Sequence, residues 1–150
     1  MRRGEEPQDH RRRVEAALDS GLGECLLARG ELAAIVCERL FHGSGRIHDL
    51  HAFVVMPNHV HVLTVFKPGF PMAEVVRGWK GLSARQINAA LGREGPFWQR
   101  DYFDRYIRDA RHFERASAYI ENNPVSAGLV KRAADWPYSS AGAAVPRPPS

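Results

Sequence analysis

The sequence predicts a single α+β domain, an antiparallel sheet with helices packed against it. Three observations lead there. A β-branched and aromatic run, "IHDLHAFVVMPNHVHVLTVF", is split by Pro57-Asn58 and reads as a β-hairpin. Apolar residues recur at helical spacing on either side of it. A third aromatic, alternating stretch, "YFDRYI", leads into a segment with a helix-capping aspartate. At 150 residues the chain is one ordinary domain, long enough to bury a core, and 44% hydrophobic with 25% charged residues is a globular balance.

Along the chain, "MRRGEEPQDHRRR" is charge-dense and reads as a frayed lead-in over 1–13. Val14, Ala17 and Leu18 have helical spacing, and Gly21 and Gly23 would stop a short first helix. A second helix is expected from Glu31 to Phe41, with Ile35, Val36 and Leu40 on one face and "HGSG" as the turn that ends it. The hairpin follows, with strands from about Ile47 to Val55 and His59 to Phe66. A helix through this run is excluded by Pro57, which lacks a donor and clashes with the preceding turn.

Met72, Val75, Val76 and Trp79 then mark an amphipathic helix with a basic flank, reaching about Leu91 with interruptions at Gly78 and Gly81. Tyr102 to Ile107 reads as a strand. Asp109 caps a helix through "ARHFERASAYIENN", and Pro124 is expected to end it. The Pro-rich tail over 142–150 reads as disordered, and no repeat or linker divides the chain.

Composition excludes several classes. No run approaches the ~20 apolar residues of a membrane span, and the N-terminus has no apolar signal core, so a cytoplasmic protein is expected. Cys25 and Cys37 stand alone with no CxxC, which excludes a disulfide framework or zinc ribbon and suggests reduced thiols. The formal charge of +4, carried mostly by arginine, is compatible with a phosphate-bearing partner without requiring one.

Within the hairpin, His59 and His61 flank Val60. On a strand they share a face, with Cβ atoms roughly 6.5–7 Å apart from a rise of ~3.3 Å per residue, near enough to converge on one cation. Val60 and Val62 face the other way. A histidine pair on a half-exposed strand is also an ordinary surface feature, and His48 and His51 show that the chain uses this residue freely.

The wider context is more specific. "VVMPNHVHVL" resembles the histidine–hydrophobic–histidine strand of the HUH single-strand endonucleases, and more narrowly the REP-associated tyrosine transposases, a single-tyrosine bacterial group. The resemblance continues through "VVRGWKGLSARQIN", "GPFWQRDYFDRYIRDARHFERASAYIENNPVSAGLV" and "DWPYSSA", spanning roughly Val14 to Ala141. It implies a ferredoxin-like, RRM-like sheet and a metal-dependent endonuclease and strand transferase acting on single-stranded or hairpin DNA of the repetitive extragenic kind. It further implies that His59, His61 and Asn123 hold one divalent cation, Mg²⁺ or Mn²⁺, and that Tyr119 attacks the scissile phosphorus. The product would be a 5′-phosphotyrosine link and a free 3′-OH.

The spacing agrees independently. Tyr119 and Asn123 are four apart and share a helix face, which His112 and Arg115 continue; Phe113, Ala116 and Ile120 form a packing stripe beside it. Tyr119 is expected in the last turn, where the helix dipole disfavours a phenolate, so a bound cation together with Arg115 or a neighbour must supply the missing field. Imidazole suits Mn²⁺ better than Mg²⁺, so Mn²⁺ is expected to serve at least as well.

Asn122 and Glu121 are alternative ligands, and Tyr102, Tyr106 and Tyr138 are competing tyrosines. Arg77, Lys80, Arg85, Arg100, Arg105, Arg108, Arg111 and Arg115 are candidates for phosphate contact. Trp79, Trp98 and Trp136 are expected in the core. Members of the family begin with a strand, and the charged lead-in lacks strand character, so the first strand is expected to be missing or replaced. That departure favours a second reading, a catalytically inactive transposase-derived binder of structured single strands. A third is an unrelated metal-dependent hydrolase. Assembly as a monomer or a homodimer is left open.

Overall fold

The computed structural model describes residues 13–21 and 25–142. The elements run β1 (Arg13–Asp19), α1 (Gly30–His42), β2 (His48–Val55), β3 (His59–Phe66), α2 (Met72–Leu91), β4 (Phe103–Tyr106) and α3 (Ala110–Ser126). Single turns of 3₁₀ helix occupy Leu26–Ala28 and Ala133–Asp135. The four strands form one sheet in the order β2-β3-β1-β4, with every adjacent pair antiparallel. This is the expected ferredoxin-like arrangement.

The first strand is present, which corrects both the expected gap and the expected helix over Val14–Leu18. Arg13–Asp19 is a central strand, paired with β3 along its whole length and with β4 over Val14–Ala17. Val14, Ala16 and Leu18 alternate into the buried layer. Alanine, glutamate and leucine favour helix locally, yet two neighbouring strands saturate the backbone here, and that pairing overrides propensity. Of the expected frayed lead-in, Arg13 begins β1; of the expected tail, Gly142 lies in a turn. The remainder of both lies outside the described residues.

Two apolar layers sandwich the sheet. On one face Leu18, Phe53, Val55, Val60 and Val62 pack against α1 and α2, including Leu32, Val36, Leu40, Val76, Trp79 and Ile87. On the other, Ala52, Val54, Met56 and Leu63 pack against Ala116 and Ile120 of α3. Trp79 and Trp98 belong to the first core. Trp136 packs half-buried on the second, its Nε1 donating to the Val55 carbonyl at 3.0 Å.

The hairpin folds where Pro57-Asn58 predicted, with Met56 N donating to His59 O at 2.7 Å. A register shift between Leu50 and Ala52 bulges β2 at His51. Helix α2 runs unbroken through Gly78 and Gly81 and ends at Gly92, whose φ of +66° suits a residue without a Cβ. Asp109 caps α3 as expected, its Oδ1 accepting from His112 N at 2.8 Å.

Pro124 does not end α3. The helix continues to Ser126 with Pro124 buried inside it. A proline so near the C-terminus costs a single backbone bond, that from its own absent N–H to the Ile120 carbonyl. The carbonyls of Asn123 and Pro124 still accept from Ala127 N and Leu129 N, each at 2.9 Å. About two further turns therefore follow Tyr119, so the dipole penalty expected at the last turn is weaker there.

Candidate active site

The site lies between the sheet and α3. Antiparallel register puts His61 opposite Ala17, and His59 opposite Asp19, on the face that α3 covers. A strand has a two-residue period, so Val60 and Val62 turn into the α1/α2 core while both histidines stay half-buried at the other face. The turn before them is pinned from three sides. Ser20 N donates to Asn58 O, Leu27 N to Pro57 O and Met56 N to His59 O, at 3.0, 3.0 and 2.7 Å.

The imidazoles meet edge to face, with centroids 4.8 Å apart and planes at 87°. His59 Nδ1 lies 2.7 Å from Asn58 Oδ1. That oxygen only accepts, so Nδ1 carries the proton and Nε2 keeps a free lone pair. His61 Nδ1 is buried with no hydrogen-bond partner among the described residues. Burial lowers the pKa of both rings; the charge on His59 lowers that of His61 further, while Glu15 and Asp19 pull His61 up and Asp19 does the same for His59. Both imidazoles are thus neutral at neutral pH, the form that binds metals.

Tyr119 projects from α3 toward this pair. Its ring packs against His61 with centroids 5.7 Å apart and planes at 78°, yet the residue remains 58% exposed. Of the competing tyrosines, Tyr102 is half-buried beneath Lys80, Tyr106 lies on β4, and the Tyr138 carbonyl accepts from Val55 N. A cleft of about 480 Å³ opens beside the His61–Tyr119 contact, lined by Glu15, His61, Phe103, Arg105, Arg108, His112, Arg115, Ala116 and Tyr119.

The structure gathers Arg105, Arg108 and Arg115 at this cleft. Arg77 and Lys80 lie instead on α2, in the layer across the sheet, and Lys80 Nζ donates to the Arg100 carbonyl at 2.8 Å. Asn123 is half-buried one turn beyond Tyr119 on the same helix face. The alternative ligands are engaged elsewhere: Glu121 accepts from Ser140 Oγ, and Asn122 Nδ2 donates to Ser126 Oγ at 3.3 Å.

Three residues of the site escaped the sequence reading. Glu15 is 5% exposed and holds Arg105 through a 3.0 Å bond to its Nε. Asn58 sets the His59 tautomer; its position beside the histidine was the available signal. Phe103 lines the cleft from β4. The role of His112, expected on the helix face, is also sharpened. Its Nδ1 accepts from Arg108 N at 3.0 Å, which leaves the proton on Nε2 of a ring that lines the cleft.

Comparison with known proteins follows the same lines. The family described as "Transposase IS200 like" matches residues 37–123, more than half of the chain, including both histidines, Tyr119 and Asn123. The chain belongs to this family. It is 30% identical over 95 residues to a REP-associated tyrosine transposase of Escherichia coli (strain K12), covering 63% of this chain and 55% of that protein. A Haemophilus influenzae protein carrying a provisional form of the same name is 30% identical over 99 residues, covering 59% of this chain and 56% of that one. The chain thus spans about half the length of these curated relatives. The solved structure of a REP-associated tyrosine transposase bound to a REP hairpin has the same fold, with a TM-score of 0.69 at 21% identity over 93% of this chain and 82% of that one. No helix among the described residues is long and apolar enough to cross a membrane.

Proposed function

We propose that the chain is a tyrosine-dependent, metal-requiring DNA strand transferase acting on single-stranded or hairpin-bearing DNA in the cytoplasm. The observation that carries this reading is the contact of Tyr119 with His61 at the mouth of an arginine-lined cleft. A packing tyrosine would be buried; this one is exposed beside an imidazole whose Nδ1 has no partner among the described residues.

The donor set fits a divalent cation. His61 offers an orphaned nitrogen and His59 a free Nε2, oriented by Asn58 as metal-bound histidines commonly are. We read the amide of Asn123, half-buried one turn beyond Tyr119 on the same helix face, as the third protein ligand, as the family resemblance implies. Mg²⁺ or Mn²⁺ held there would polarise a scissile phosphate and offset its charge.

The chain's own groups do the rest. Arg108 and Arg115 orient the phosphate backbone, and Arg105 is held in place by Glu15. His112, with its Nδ1 occupied by Arg108 N and its proton left on Nε2, lines the same cleft. The Tyr119 oxygen bonds to phosphorus as the P–O3′ bond breaks, and on balance one proton passes from the phenol to the departing 3′ oxygen. The 5′-phosphotyrosine and free 3′-OH can then recombine to rejoin strands. A non-cleaving relict drew its support from an absent first strand, and Arg13–Asp19 fills that position.

The test is incubation with 5′- and 3′-labelled hairpin-bearing single strands and Mn²⁺ or Mg²⁺, resolved on a denaturing gel. A covalent adduct that retains the 3′ label is expected, absent with EDTA and in Tyr119→Phe. Binding without adduct under either metal would overturn catalysis in favour of the binder. Cleavage that survives Tyr119→Phe would favour a hydrolase.

A further inference from the structure

A strand whose phosphate reaches Tyr119 must also place its bases, and Phe103 gives the cleft an exposed aromatic surface apart from the proposed nucleophile. Phe103 opens β4 and lines the cleft with His61 and Tyr119, yet it is 53% exposed. A single exposed apolar side chain needs no partner. Phe103 is distinguished by its place in the register: it lies opposite Ala17, and Ala17 lies opposite His61. The three form a row across three strands on the histidine-bearing face. Strands are ~4.8 Å apart, so Phe103 stands roughly 10 Å from the His61 backbone. Ala17 between them projects only a methyl group, so no bulky side chain of that row separates Phe103 from His61.

The ring takes no part in either apolar core. Its neighbour on the strand face is Arg105, whose guanidinium carbon is 5.9 Å from the ring centroid and which Glu15 anchors from beneath. Arg108 and Arg115 flank the same cleft. A flat apolar face beside three guanidinium groups, that of Arg105 anchored by Glu15, matches the two needs of an unpaired nucleotide, a stacking surface for its base and cations for its phosphate.

We infer that Phe103 is the stacking platform for one unpaired base close to the scissile phosphate, a binding subsite of the proposed strand transferase that rests on that reading. Nucleotides along one strand advance ~3.4 Å each, so the roughly 10 Å between Phe103 and the His61 strand corresponds to about three nucleotides, and the base is expected within a few nucleotides of the nick. Every base has a π-face, so this subsite tolerates any base and rejects the loss of one.

The experiment measures affinity by fluorescence anisotropy in EDTA, with labelled hairpin-bearing single strands carrying one abasic nucleotide at successive positions. Wild type, Phe103→Ala and Phe103→Trp are compared, after circular dichroism has verified that each is folded. Phe103→Ala is expected to weaken the intact strand by about 5- to 150-fold, the range of one base–aromatic stack. One abasic position near the nick should produce the same loss in wild type and none beyond it in Phe103→Ala, and Phe103→Trp should restore binding. Unchanged affinity in Phe103→Ala, or losses that multiply at every abasic position, would overturn the subsite while leaving tight binding and adduct formation intact. Failure of the wild type to bind any strand would overturn the transferase reading and the subsite together.

Discussion

Acidification should destabilise this protein through one buried imidazole. His48 is fully buried on the sheet face that packs against α1 and α2, with Nε2 3.0 Å from the Leu40 carbonyl and Nδ1 2.7 Å from Thr64 Oγ1. Burial pushes its pKa down to about 4 from the usual 6.5; the Leu40 carbonyl and Asp49 pull weakly the other way. The folded-state value is depressed, so below pH 6.5 the unfolded chain binds a proton that the native protein refuses. Stability is therefore full above about pH 6.5 and falls as the pH drops toward 4. A shift from 6.5 to about 4 corresponds to roughly 3.4 kcal/mol in total, of which about 2 kcal/mol is lost by pH 5. Urea unfolding of metal-free protein at pH 7.5, 6, 5 and 4.5 measures the loss, and His48→Gln removes the titrating group. The variant will start less stable, but its slope against pH should be shallower by that amount. Parallel slopes for the two proteins between pH 6.5 and 4.5 would refute the reasoning. His51, His59 and His61 are also lowered by burial, so they add residual dependence of the same sign.

Asn58→Ala should weaken Mn²⁺ binding by about 10- to 100-fold, because it frees the His59 tautomer; calorimetric titration without DNA reads this directly, and unchanged affinity would show that Asn58 does not orient the ligand. Replacing Arg108 or Arg115 with glutamine should each reduce the slope of log K against log salt for single strands by about 0.7, one phosphate contact apiece. Arg77→Gln, on the layer across the sheet, should leave that slope unchanged, and an equal effect from Arg77 would move the DNA path to α2. Asp109→Ala should cost about 1 kcal/mol in chemical denaturation by removing the α3 cap, whereas a neutral result would mean that another group satisfies His112 N.

Local signals in the sequence determined much of this protein. Pro57-Asn58 between β-branched runs fixed the hairpin, and the two-residue strand period put His59 and His61 on one face. The four-residue spacing of Tyr119 and Asn123, with Asp109 as the cap, fixed the helix face that carries them. These are short-range effects, set by residues a few positions apart. Tertiary structure decided what depends on distant partners. Arg13–Asp19 has helical composition and became a central strand because β3 and β4 supply its hydrogen bonds. Pro124 suggested a helix end, but so close to the C-terminus the lost bond is outweighed by burial of the proline within α3. Among the arginines of the described residues, Arg105, Arg108 and Arg115 reach the cleft, and surface charges carry no periodic mark that would single them out. Glu15 became a buried anchor and Phe103 an open ring through pairings of β1 with β3 and β4, which join segments about 50 and 90 residues apart. The candidate residues are written locally in the chain, whereas the cleft beside them exists only once the sheet has closed around β1 and α3 has covered one face.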